Sequence, residues 1–111
     1  NTIISVGPDE TVSEALNKMS ENGVTQIPVL DGHASVGSIR ESHVLALLLK
    51  DREMINSKVR EVMDASFPIV EMDESIDKIK HKLTKSPAVL IEDFKRITGI
   101  ITRSDVLDLT S

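Results

Sequence analysis

Near the C-terminal end of the chain, Thr102 is followed three residues later by Asp105. The pair lies where the apolar stretch Gly99-Ile100-Ile101 runs into a helical pattern of Val106, Leu107 and Leu109. Two kinds of chemistry suit this spacing. A hydroxyl and a carboxylate three residues apart form a capping box, in which each side chain satisfies a backbone amide left free at a helix start. A carboxylate on the first helical turn can also accept two hydrogen bonds from the vicinal hydroxyls of a ribose, while the hydroxyl and the free amides suit a phosphate oxygen. Spacing alone favours the cap, and the rest of the chain must supply the reason for a ligand.

Other chemistry-bearing residues are scattered. His33, His43 and His81 fall in a turn, at a helix start and on a lysine-rich helix face. They lack the i, i+4 spacing of a metal pair, and with no cysteine in the chain metal binding is not expected. Lys78, Lys80, Lys82 and Lys85 make a basic stripe beside Asp73, Glu74 and Asp77, which reads as a solvated helix face. No Ser/His/Asp constellation, phosphate loop or paired carboxylates point to catalysis, so no catalytic residue is assigned.

The elements that must position Thr102 and Asp105 follow a repeated order. Ile3 to Val6 reads as extended and is stopped by Gly7-Pro8. Thr11 and Glu14 form a capping box ahead of Val12, Ala15, Leu16 and Met19, spaced as one buried helix face, and Gly23 ends that helix. Strands are expected over 26–30 and 35–39 around Asp31-Gly32, then a helix over 41–49. Its Val44, Leu45, Leu47, Leu48 and Leu49 wrap most of the way round, the pattern of a helix buried on several sides. After a polar connector and a short amphipathic piece, 59–63, the order recurs. Pro68 to Val70 is extended, Ser75 starts a helix carrying Ile76, Ile79 and Leu83, and strands over 88–91 and 96–101 lead to the last helix. The landmarks pair Thr11-Val12 with Ser75-Ile76, Val29-Leu30 with Val89-Leu90, and Gly37 with Gly99. Two copies with a period of ~60 residues fit a pseudo-twofold pair better than a solenoid.

Bulk composition narrows the function. A chain of 111 residues with 40% hydrophobic and 28% charged residues is ordinary for one soluble domain or two small units. Net charge is −5 and Phe67 and Phe94 are the only aromatics, so neither a basic face nor a stacking platform is available and nucleic acid is not expected. The longest apolar run, Val44 to Leu49, is far below the ~20 residues that cross a bilayer. The absence of cysteine fits a cytoplasmic protein. The chain opens on Asn1 rather than methionine, so it is read as a segment cut from a longer polypeptide.

On these residues the sequence resembles a tandem CBS-domain pair, or Bateman module. Gly23-Val24-Thr25-Gln26-Ile27-Pro28 fits the family's glycine-hydrophobic-Thr/Ser-x-x-Pro motif. Gly99 to Asp105 fits its glycine-hydrophobic-hydrophobic-Thr/Ser-x-x-Asp motif, and the β-α-β-β-α order occurs twice. Ser66-Phe67-Pro68-Ile69-Val70 with Pro87-Ala88-Val89-Leu90 is similar, more narrowly, to the C-terminal regulatory region of bacterial cystathionine β-synthase-type enzymes. The resemblance implies an α+β fold of two β-α-β-β-α repeats packed about a pseudo-twofold axis: a first repeat over 1–50, a connector over 51–64 and a second repeat over 65–111.

It also implies a regulatory module without catalysis of its own, binding an adenosine-containing ligand, either AMP, ADP or ATP or S-adenosylmethionine, with no cofactor required. The pocket would draw Thr25 of one repeat and Thr102 and Asp105 of the other. Val24, Ile27 and Ile100 would supply apolar walls, with Gln26 and Arg103 also lining it; whether Thr11, Ser5 or the backbone near Ile4 reaches the base stays open. Phosphates would draw on Arg103 and Arg40, whereas S-adenosylmethionine prefers apolar and acidic surroundings. The pseudo-symmetric pocket reads as weaker: Arg40 and His43 stand where Thr102 and Asp105 stand, and Lys85-Ser86-Pro87-Ala88 lacks the glycine of the partner motif. Expected partners are the small ligand, a second copy in a homodimer and an attached catalytic or transporter domain. The competing reading is a ligand-free dimerisation or protein-interaction module in which Thr102 and Asp105 only cap a helix.

Overall fold

The computed structural model describes the backbone of residues 3–110 and the side chains of residues 3–106. The side chains of Leu107 and Leu109, part of the expected apolar pattern, lie outside the described residues. The chain is α+β and divides into two compact units, one formed by residues 4–66 and the other containing residues 67–111. Among the described residues no helix is long and apolar enough to cross a membrane.

In the first unit, α1 (Val12–Asn22) begins as the sequence expects. Thr11 accepts from the Glu14 amide at 3.2 Å and Glu14 returns a carboxylate to the Thr11 amide at 3.1 Å. Gly23 ends the helix at φ +64°, a left-handed position that a glycine occupies without the Cβ penalty. Strands β1 (Gln26–Asp31) and β2 (Ala34–Arg40) form an antiparallel hairpin, and α2 (Glu41–Lys50) follows directly. The expected opening strand is reduced to one parallel bridge, Val6 to Val29. Val6, Val12, Ala15, Met19, Ile27, Val29, Ile39, Val44 and Val59 make the core.

Helix α2 buries only Val44 fully, with Leu48 packed on the core, while Leu45 and Leu49 are 47% and 89% exposed. Its leucines at neighbouring positions point around the axis, but only the stripe facing the core is covered. The connector packs on the same unit. Its short 3-10 turns Arg52–Asn56 and Val59–Glu61 run along the unit, and Val59 is fully buried. The Val59 amide donates to the Glu10 carbonyl at 2.8 Å and the Arg60 amide to Pro8 at 2.9 Å, with the Arg60 guanidinium on Asp9.

In the second unit, β3 (Ile69–Glu71) pairs parallel with β4 (Ala88–Asp93), which pairs antiparallel with β5 (Arg96–Thr102). Helix α3 (Ile76–Lys85) starts at Ser75, whose hydroxyl accepts from the Lys78 amide at 3.3 Å, and α4 (Arg103–Thr110) closes the repeat. Val70, Ile79, Leu83 and Val89 form the core, with Ile91, Ile101 and Val106 packed against it.

The pairing registers fix the repeat more finely than the sequence does. Val29 stands opposite Gly37 and Ile91 opposite Gly99, so Val29-Leu30 corresponds to Ile91-Glu92 and not to Val89-Leu90. The two-residue error arises between helix and strand. Helix α3 has 10 residues against 11 in α1, and its link to β4 is Ser86-Pro87 where the first repeat has Gly23-Val24-Thr25.

Candidate functional site

Strand β5 delivers Thr102 to the mouth of α4, opposite Ala88 in the antiparallel ladder. Asp105 lies on the first turn and reaches back. The Thr102 amide donates to Asp105 Oδ2 at 2.9 Å, and the Thr102 hydroxyl donates to the same oxygen at 3.2 Å. One arm of the capping box, the carboxylate on the Thr102 amide, is formed, and the hydroxyl donates to that same carboxylate. Among the described residues Asp105 Oδ1 takes no hydrogen bond, and Asp105 is exposed. A carboxylate oxygen with open lone pairs thus stands at a helix start, where anionic character is also favoured by the aligned peptide dipoles.

Arg103 sits beside it with its guanidinium Nε donating to the Leu83 carbonyl at 2.7 Å, near the C-terminal end of α3. With Lys80, Leu83, Thr84 and Val106 it lines a mostly apolar cleft of about 260 Å³ between α3 and α4. A more polar hollow of about 440 Å³ runs along α3 between Glu74, Asp77, Lys78, His81 and Lys82, where Lys78 pairs with Glu74 at 3.6 Å. Thr102 and Asp105 line neither. Ile100 is half-buried opposite Leu90. Ser86 is buried at the end of α3, where its hydroxyl donates to the Ala88 carbonyl at 3.0 Å.

The corresponding residues of the first unit divide by burial. Val24 packs at the edge of the core, Thr25 is exposed and Gln26 is half-buried opposite Arg40. The Thr25 carbonyl accepts the Glu41 amide at 2.9 Å, satisfying one of the free donors at the start of α2. Alternation along β1 turns Ile27 into the core, where it is 1% exposed.

Arg40 precedes α2 without a side-chain cap, and its Nε is buried with no hydrogen-bond partner among the described residues. His43 meets Asp64, with Nδ1 and Oδ2 at 2.8 Å. At the position of Asp105 the first repeat therefore carries a histidine engaged with a carboxylate from the connector. Asp64 escaped the sequence reading because nothing local marks a contact 21 residues away.

Comparison with known proteins agrees with this architecture. The CBS domain family profile matches residues 1–50 and 59–111, and the chain belongs to the CBS-domain family. It is 32% identical over 110 residues to an uncharacterised Methanocaldococcus jannaschii protein, covering 96% of this chain and 36% of that one. It is 31% identical over 107 residues to the inosine-5′-monophosphate dehydrogenase of the same organism, covering 95% of this chain and 21% of the enzyme. The chain thus spans about a third or less of the length of these two relatives. Among solved structures, a conserved protein from Geobacillus kaustophilus is 29% identical with a TM-score of 0.86, over 97% of this chain and 86% of that one. A Methanocaldococcus jannaschii protein described as a proposed archaeal homologue of γ-AMPK is 26% identical with a TM-score of 0.86, over 99% of this chain and 45% of that one. The two repeats are CBS domains, and the stretch they form is a regulatory module and not a catalytic domain.

Proposed function

We propose that this CBS pair senses one adenosine-containing ligand and transmits its presence to a protein attached to it or associated with it. The observation that carries this reading is the arrangement at α4: both Thr102 bonds to Asp105 use Oδ2, which leaves Oδ1 for the hydroxyls of a ribose. Thr102 acts as the positioning residue for that carboxylate. Ile100 and Arg103 are assigned to the same ligand by their place at the end of β5 and the start of α4. The proposal extends to Val24, Thr25 and Gln26 on the family motif. Arg40, His43 and Ser86 receive no ribose: the hydroxyl of Ser86 is spent on a carbonyl and His43 on Asp64.

An adenine nucleotide is the first ligand to test. One relative is named for a purine nucleotide and one structural neighbour for γ-AMPK. S-Adenosylmethionine is the second. The regulated partner in this reading is a further domain of the same polypeptide or a second protein, with a homodimer of the module as the unit of response; the greater length of the two relatives supports the first. Coupling would arise from a difference in ligand affinity between two arrangements of that assembly.

Calorimetric titration with AMP, ATP and S-adenosylmethionine, on the native chain and on Asp105→Asn, tests the reading. Binding of one of them with loss in the variant supports it. Absence of binding by all three, or equal binding by the variant, leaves the ligand-free interaction module as the function.

A further inference from the structure

The turn that leads into the first helix of each repeat is built alike but covered differently. Val6 bridges to Val29 as Val70 pairs with Ile91. The Glu10 amide donates to the Gly7 carbonyl at 3.2 Å, and the Glu74 amide to the Glu71 carbonyl at 3.1 Å. Pro8, Asp9, Glu10 and Val12 therefore match Met72, Asp73, Glu74 and Ile76. In the first unit, residues 57–60 lie on this turn. The Ser57 carbonyl accepts the Val12 amide at 2.9 Å, the Val59 amide donates to the Glu10 carbonyl at 2.8 Å, and the Arg60 amide donates to the Pro8 carbonyl at 2.9 Å. Lys58 Nζ and Arg60 Nε reach Asp9 Oδ1 at 3.8 and 3.0 Å. Between these two cations the Val59 side chain enters the same core as Val12, and the two are 0% and 1% exposed.

In the second unit each matching group is open. Among the described residues the Ile76 amide, the Met72 and Glu74 carbonyls and the Asp73 carboxylate take no hydrogen bond or ion pair. Ile76, the counterpart of buried Val12, is 43% exposed, and Met72 is 66% exposed. A donor, two acceptors, an apolar floor and an anion at the rim are the complement of a short extended segment, whose backbone supplies affinity and whose side chains supply specificity. We propose that residues 72–76 are a docking site for a peptide segment of a partner protein, built like residues 57–60, with a β-branched apolar residue between two basic ones. Its apolar side chain covers Ile76, its amides meet the Glu74 and Met72 carbonyls, its preceding carbonyl takes the Ile76 amide, and its cations face Asp73. A second copy of this chain does not supply the segment, because its own Val59 is built into its first core. The site uses none of the residues assigned to the ligand at α4.

Amide chemical shifts of the full chain, titrated with a synthetic peptide copying residues 57–63 and blocked at both ends, test this. The Glu74 and Ile76 amides are expected to shift, while those of Glu10 and Val12, already covered by the chain's own connector, stay in place. Asp73→Lys in the protein is expected to weaken binding by about five- to tenfold. Asp73 is exposed in a turn, so the variant keeps its fold, and the positions of its remaining amide signals verify this. A peptide carrying Val59→Asp is expected not to bind. The proposal is overturned if the Glu74 and Ile76 amides stay in place at millimolar peptide, if Glu10 and Val12 shift equally, if the Val59→Asp peptide binds as well, or if Asp73→Lys changes nothing.

Discussion

Thr102 and Asp105 are joined twice through a single oxygen, Asp105 Oδ2, which accepts the Thr102 amide at 2.9 Å and the Thr102 hydroxyl at 3.2 Å. The carboxylate is thereby fixed in rotation without being used up. If it holds a ribose, Asp105→Asn weakens nucleotide binding by about 10- to 100-fold, the value of a hydrogen bond to a charged acceptor. The melting temperature of the native chain then rises with ligand, since ~100-fold excess over Kd stabilises by about 2.7 kcal/mol, while that of the variant stays nearly flat. Thermal melts with and without AMP, ATP and S-adenosylmethionine read this directly.

The two strand glycines, Gly37 and Gly99, occupy equivalent places but should respond differently to alanine. At Gly37 the new methyl meets Met63 Sδ at 2.6 Å and a backbone carbonyl at 2.9 Å, and the carbonyl cannot rotate away. Gly37→Ala is expected to cost about 1–3 kcal/mol, as overpacking does. At Gly99 the nearest atoms belong to Ile91 at 3.6 Å, an ordinary contact, so Gly99→Ala should be close to neutral. Urea denaturation of both variants decides it; equal losses would mean that the close approach of Met63 and Asp64 is not what Gly37 serves.

The hairpin turns make a second unequal pair. The first repeat places Gly32 at φ +65°, whereas the second places Phe94 at φ +50° and Lys95 at φ +63°. Phe94 is 89% exposed, so burial does not offset the left-handed backbone. Phe94→Gly is expected to stabilise the protein by about 0.5–1 kcal/mol, the relief of Cβ strain less the extra chain entropy of glycine. A destabilised Phe94→Gly protein would show that the ring makes contacts worth more than the strain.

Adjacent residues in the connector separate packing from charge. Val59 is fully buried in the first core, while the Arg60 and Asp9 side chains are 52% and 66% exposed. Val59→Ala should cost about 1.5–3 kcal/mol and Arg60→Ala at most about 1 kcal/mol. The same denaturation curves give both values.

What was legible in the sequence is what local rules govern. The capping box of Thr11 and Glu14, the glycine that ends α1 and the α-β-β-α order of both repeats follow from spacing within a few residues and are present, while the opening strand is a full strand only in the second repeat. What was illegible depends on distant partners. Asp64 is polar in a polar stretch, and its pairing with Ser38 and His43 is set by how the connector folds back. Leu45 and Leu49 read as part of a helix buried on several sides, and hydrophobicity does not say which of those sides the chain's own core covers. At the candidate site, the spacing of Thr102 and Asp105 revealed the contact, but not that one carboxylate oxygen would receive both bonds.

The hairpin registers also show that each repeat carries one residue out of step. Between the pairs Val29 to Gly37 and Leu30 to Ser35 the strand holds Val36 unmatched, and between Ile91 to Gly99 and Glu92 to Ile97 it holds Thr98 unmatched. Such a bulge shifts the pleat by one position, so residues beyond it face the side opposite to the one simple alternation from the turn assigns them. Arg40 and Thr102, the last strand residues before α2 and α4, take their facing from their cross-strand partners Gln26 and Ala88 and not from a count along their own strand. The bulge absorbs one residue without moving the ladder beyond it: with Val36 or Thr98 deleted, Gly37 would still stand opposite Val29 and Gly99 opposite Ile91, and the strand ends would keep their facing.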